Sequence, residues 1–281
     1  MSDKLTESEN VLLGTCAAFI EAVILQPTLY WKNAKAQRMP FSIDPRIIYR
    51  GTSASIFNEM QMMGIQFGMT SLLKRSFSFN ENSSNLSSSS SAAASNRKGV
   101  LDMLSASGGG AITAIFVSPV ELVMIQQQRF GGSFFSVPMK IVKEHGLLSR
   151  GLMRGLFPTV CRDSIYVTGM LGVTPVVQAH LVSKYSLNND LAGLYASIIG
   201  GVMAALPSHP LDLVKTCMQG DLCQAKYSTF GATLKAIWAE GGFVRMSSGG
   251  FWRTVNITAT IVIANYCTTN LAPVIFPSKF R

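Results

Sequence analysis

A pattern of proline, acid and base recurs three times in this chain, each time behind an apolar run long enough to cross a membrane. It is clearest at Pro210, Asp212 and Lys215, with Gln219 four residues further on. It returns at Pro119 and Glu121, with Met124 in the basic position and Gln128 beyond it. It returns again at Pro27, with Leu29 in the acid position, Lys32 in the basic one and Ala36 where the glutamine stands elsewhere. The prolines lie about 90 residues apart, a fixed period that calls for a repeat architecture before any other reading.

Composition agrees with a membrane setting. Only 14% of the 281 residues are charged and 48% are hydrophobic, against roughly 25% charged in an average soluble domain. The 24 Lys+Arg outnumber the 15 Asp+Glu. They lie between apolar segments and form no single stripe, so the excess points to an anionic membrane surface and not to nucleic acid. The five cysteines form no CxxC pair, and the three histidines have no zinc spacing. No metal or cofactor is expected, and the cysteines read as small apolar residues. No nucleophile stands with an oriented base, and Gly108-Gly109-Gly110 sits inside an apolar helix, where glycines serve packing and not phosphate binding. Enzymatic chemistry is not expected. Residues 1–10 carry Asp3, Glu7 and Glu9 and no arginine, so no cleavable presequence is expected.

Hydropathy predicts six membrane helices, at about 11–38, 51–73, 101–128, 155–182, 191–219 and 250–271. They pair into repeats over residues 1–79, 100–186 and 187–281. Residues 80–99, rich in Ser and Asn, are expected to form a low-complexity loop. Two small residues precede each proline by thirteen and nine positions: Gly14 and Ala18, Ala106 and Gly110, Ser197 and Gly201. That spacing puts each pair on one helix face, where backbones can approach closely. Pro27, Pro119 and Pro210 each remove a backbone hydrogen bond and are expected to kink their helices. Twelve of the 24 Lys and Arg lie at the connections after the odd helices, which assigns those connections to the inner side. Both termini then lie on the opposite face.

Three two-helix repeats, each odd helix closing on Pro-x-acid-x-x-base, resemble the mitochondrial carrier family. Glu144-His145-Gly146, Glu240-Gly241, and the openings Arg50-Gly51 and Arg154-Gly155 resemble that family's connecting signatures. The resemblance covers nearly the whole chain. It implies an all-α bundle of six transmembrane helices, pseudo-threefold around a central cavity, which exchanges solutes by alternating access. In the family, the acid of one repeat pairs with the base of the next to close the matrix side. The pairs Glu121–Lys215 and Asp212–Lys32 are preserved here. The third has become Leu29 and Met124, and losing both partners avoids a stranded charge costing several kcal/mol. Gln128 and Gln219 fall at the family's bracing positions. The outer-gate acids are absent: Ser71, Pro175 and Thr269 occupy the acid positions, and Lys74, Gln178 and Ala272 the basic ones.

The same register places the family's substrate contacts seven residues beyond Gly51, Gly155 and Gly249, at Asn58, Arg162 and Asn256, with Glu59 and Asp163 beside two of them. An ionisable residue at that depth is a functional candidate by default. Arg162-Asp163 resembles the pair with which the family's amino-acid carriers hold a carboxylate and an ammonium. It can also be an ion pair that only orients helices. Glu21 resembles a glutamate of some tricarboxylate and oxodicarboxylate carriers, and Arg253 is either a second anion ligand or a gate-side arginine. With so many acids near Arg162, nucleotides and polyanions are disfavoured. The expected function is transport of a small carboxylate, an amino acid or an oxo or dicarboxylic acid, across the mitochondrial inner membrane. The alternative is a non-transporting scaffold at the outer membrane, resembling family members that recruit partners there. Membrane lipids, cardiolipin among them, are expected partners, nucleic acid is not, and a monomer is expected.

Overall fold

The computed structural model describes residues 7–61, 91–148 and 150–277. Its elements are α1 (Glu7–Gln37), α2 (Pro45–Ile48), α3 (residues 52–61), α4 (Ser91–Phe130) and α5 (Ser136–His145). There follow α6 (Leu156–Tyr185), α7 (Asn189–Gly220), α8 (Phe230–Met246), α9 (Gly250–Tyr266), a π-turn (Cys267–Leu271) and α10 (Ala272–Ile275). No strand occurs among the described residues. Segments Leu12–Gln37, Gly108–Phe130, Leu156–Tyr185 and Asn189–Gly220 are each long and apolar enough to cross a membrane.

The long helices close into a ring. α4 packs on α6, α6 on α7, α7 on α9, and α9 on α1. α3 completes the circuit: Ala54 packs with Val123 and Met124 of α4, and Gln26 of α1 donates to the Arg50 carbonyl just ahead of α3. The six-helix, three-repeat layout follows, with α2, α5 and α8 lying at the end where α1, α4 and α7 finish.

The joints between repeats are built on glycine. Gly51, Gly155 and Gly249 all adopt left-handed backbone, with φ of 84°, 81° and 89°. A side chain there is strained by its own backbone. Each glycine also touches the odd helix of the next repeat. A Cβ on Gly51 would lie 3.0 Å from the Met124 carbonyl on α4, one on Gly155 3.0 Å from Gln219 on α7, and one on Gly249 2.9 Å from the Lys32 carbonyl on α1. The third repeat therefore docks on the first, as the first docks on the second.

In two repeats the second small residue packs closely against a neighbouring helix. Gly110 faces Val167 and the Asp163 carbonyl of α6, and Gly201 faces Ile257 and Ile261 of α9. Ala18 is buried, but a Cβ on Gly14 would meet nothing within 4 Å. The helices run unbroken through Pro27, Pro119 and Pro210.

Two boundaries differ from expectation. Helix α4 begins at Ser91, so residues 91–99 are helical where a loop was expected. Ala92, Ala93 and Ala94 are strong helix formers, and a serine-rich composition hid them. Residues 80–90 lie outside the described residues, as do 62–73, the second half of the second predicted helix. The sixth helix is regular only to Tyr266 and then widens into the π-turn.

Candidate functional site

One buried charge network occupies the centre of the ring where α1, α4 and α7 converge. Each ring residue comes from the turn after its helix proline, so all three repeats deliver side chains to one level. Lys215 Nζ meets Glu121 Oε2 at 2.6 Å, and Lys32 Nζ meets Asp212 Oδ2 at 3.0 Å. Both expected pairs form. At the third joint Leu29 packs against the cluster that holds Met124, and Ser55 donates to the Met124 sulfur at 3.1 Å. No charge is stranded there.

Arg162 reaches further than its register suggested. Register places it as a substrate contact, with a helix-orienting ion pair to Asp163 or a neighbouring helix as the alternative. In the structure its Nη1 donates to Glu121 Oε1 and to Asp212 Oδ1, both at 3.0 Å, and its Nε donates to Asp163 Oδ1 at 2.7 Å. A seven-atom side chain can span a full helical turn, and two carboxylates below drew it down. Its Nη2 makes only a long 3.5 Å contact with Glu121, so that edge of the fork keeps donor capacity. Arg253 joins the same network, 3.0 Å from Asp212 and 2.8 Å from Ser208 Oγ. The network thus holds Lys32, Arg162, Lys215 and Arg253 against Glu121, Asp163 and Asp212, one cation more than carboxylates.

The other contact positions stand apart from this knot. Asn58 is buried and its Oδ1 has no partner among the described residues. Glu59 is half-buried and takes part in no ion pair among the described residues. Asn256 turns to α1 and donates to Thr28 Oγ1 at 3.1 Å. Glu21, 7% exposed, accepts from Thr260 Oγ1 of α9 at 2.6 Å. At the outer gate, Gln178 donates to the Asn189 carbonyl, while Ser71 and Lys74 lie outside the described residues.

Amides brace the ring. Asn33 donates to Gln128 Oε1 at 2.8 Å, tying α1 to α4. Gln219 donates to Ser118 of α4 and to the Arg154 carbonyl ahead of α6. At the Ala36 position a carbonyl serves instead, accepting from Cys217 Sγ and Arg245. Sequence reasoning missed Asn33, Ser208 and Thr260, whose residue types carry no signal of their own. It passed over Arg154, which is buried and donates to the Met218 and Tyr227 carbonyls; the Arg154-Gly155 dipeptide was the available cue.

A second ionic cluster lies beyond the membrane-spanning segments. Glu240 of α8 accepts from Tyr227 (2.7 Å) and Arg245 (2.8 Å) and pairs with Lys226 (2.7 Å) and Arg38 (3.2 Å). Burial alone would raise its carboxyl. The bonds from Lys226, Arg245 and Tyr227 outweigh that and hold it at about 2. Burial, then the bond to Glu240, pushes the Tyr227 phenol up to about 12. The cluster staples the end of α1 to α8. Two clefts open here and beside α5, and neither is lined by a contact position. They are grooves between connecting segments, and the polar centre of the ring is the better site on chemical grounds.

The arrangement fits what is found among known proteins. A family model described as mitochondrial carrier protein matches residues 95–185 and 188–270. The chain is 27% identical over 236 residues to "Carrier protein YMC2, mitochondrial" of Saccharomyces cerevisiae, covering 79% of this chain and 71% of that protein. It is 28% identical over 245 residues to the same yeast's "Mitochondrial glycine transporter YMC1", covering 81% and 74%. It is 31% identical over 153 residues to "Mitochondrial 2-oxodicarboxylate carrier 1", there spanning 52% of this chain and about half (48%) of that protein. The second and third repeats match the family model directly, and the first carries Pro27, Lys32 and Gly51 in the same structural places. The chain belongs to the mitochondrial carrier family.

Proposed function

We propose that this carrier moves a small carboxylate, an amino acid or an oxo or dicarboxylic acid, across the mitochondrial inner membrane by alternating access. The observation that carries this reading is Arg162 at the centre of the buried network, its Nη2 held only by a 3.5 Å contact to Glu121. A guanidinium group matches a carboxylate in plane and charge. The ring of Lys32, Glu121, Asp212 and Lys215, with the Leu29–Met124 contact, is the closed matrix gate. The basic connections place that gate inside and both termini in the intermembrane space. The relatives described as glycine and 2-oxodicarboxylate carriers bracket the same substrate chemistry.

The test is uptake into proteoliposomes from a panel of amino, oxo and dicarboxylic acids. Arg162→Ala should abolish uptake, and Arg162→Lys should recover little, because a point charge does not reproduce the fork. A folded Arg162→Ala protein that transports like the wild type overturns the assignment. Wild-type protein that moves nothing in the panel supports the scaffold reading, which the missing outer-gate acids favour.

A further inference from the structure

We infer that the substrate carries an ammonium group, and that Glu21 and Glu59, not Asp163, receive it. The inference rests on the transport reading above and narrows it from carboxylates in general to amino acids.

Asp163 is the acid beside the arginine, and its register makes it the natural counter-charge for an amine. The structure commits it elsewhere: its Oδ1 accepts from Arg162 Nε at 2.7 Å. Glu121 and Asp212 are committed too, each to a lysine and to Arg162. The four cations of the network are likewise all engaged with these acids. Glu21 and Glu59 are left. Glu21 is almost wholly buried, and among the described residues its one donor is a neutral hydroxyl, Thr260 Oγ1. Glu59 has no ion-pair partner among the described residues.

The two carboxylates share one space. Glu59 lies within electrostatic reach of Glu21, Glu121, Arg162 and Lys32. Those residues come from α1, α4 and α6, three helices of the ring. Glu21 lies within reach of Tyr166 on α6 and of Glu59. Next to Glu59, Asn58 is more than nine-tenths buried and its Oδ1 is an acceptor without a donor among the described residues. Asn58 holds the register position at which Arg162 enters the centre from the second repeat. An ammonium ion is all donor, the ionised carboxylates of Glu21 and Glu59 are all acceptor, and Asn58 adds its Oδ1. A buried acceptor left without a donor is costly, and an ammonium would supply the missing bonds and charge together.

The centre of the ring is therefore bipolar. A guanidinium edge stands on α6, and acceptors stand on α1 and α3. A zwitterion satisfies both poles. A 2-oxo acid of the same carbon skeleton would satisfy the first and leave acceptors unpaired at the second, which is how a polar site rejects an analogue lacking its donor.

The experiment compares carbon-matched pairs in proteoliposomes: glycine with glyoxylate, alanine with pyruvate, glutamate with 2-oxoglutarate. Wild-type protein should take up at least one amino acid about tenfold or more faster than its oxo partner. Glu59→Gln and Glu21→Gln should each lower that ratio, and Glu59→Asp, which keeps the charge, should retain part of it. Because a buried Glu21→Gln change can also weaken folding, ligand binding is read separately as the shift in melting temperature on adding the amino acid. That shift should shrink in both Gln variants. Uptake of oxo acids alone leaves transport standing and overturns the ammonium assignment. A ratio and a thermal shift unchanged in both Gln variants overturn it as well. No uptake of any probe strikes the transport reading itself.

Discussion

Lys215 and Glu121 meet at 2.6 Å, with the lysine side chain 1% exposed. Removing Glu121 strands Lys215 in a low-dielectric bundle, whereas removing Lys215 leaves Glu121 paired with Arg162. Glu121→Gln should cost about 3–5 kcal/mol of stability. Glu121→Lys should be worse, and adding Lys215→Glu should restore only part of the loss, because Arg162 also rests on Glu121 and would then face a new cation. A double-mutant cycle on melting temperature measures this, and strict additivity would show that the pair is not coupled.

Glycine substitutions should divide by backbone. Gly155→Ala places a Cβ 3.0 Å from Gln219 at a φ of 81°, so a loss of roughly 1–3 kcal/mol is expected. Gly14→Ala is helical and meets nothing within 4 Å, so a gain of roughly 0.5–1 kcal/mol is expected. Thermal shifts of the purified variants check the sign of each.

Acid should loosen the Glu240 cluster. Its carboxyl is depressed from 4.5 to about 2, so its contribution is full above the ordinary value and disappears as pH falls through the lower one. Melting temperature followed across that window should fall more steeply for wild type than for Glu240→Gln. Parallel curves would show that the cluster does not hold α1 to α8 in solution.

The serine-rich stretch should tolerate shortening up to the point where α4 begins. Deleting residues 82–90 removes a segment with little to bury and should leave the melting temperature nearly unchanged. Extending the deletion to residue 96 removes the first turns of α4 and should lower it. Equal effects of the two deletions would place the functional start of the helix later.

The parts of the site legible in the sequence were those fixed by spacing. Charges one helical turn past each proline must meet when three similar helices converge, so the pairs of Lys32 with Asp212 and Glu121 with Lys215 could be named in advance. The paired loss at Leu29 and Met124 could be read the same way. Direction was not legible. Register gave the depth of Arg162 and Arg253, but a long side chain can travel a turn along its helix, and both went to the ring acids. Asn256 went sideways to Thr28. The start of α4 was hidden because three alanines sit beside a serine run, and composition averaged over twenty residues conceals a local propensity.

Gly51, Gly155 and Gly249 have one further consequence. Repeat proteins that stack in a line have two ends, fray from them, and can be shortened or lengthened by whole units. Here each glycine sets its repeat against the following one, and Gly249 returns the chain to Lys32 at the beginning. No repeat is terminal. Excising one would leave two surfaces with no partner, not a smaller carrier, so the three units are bound to melt together.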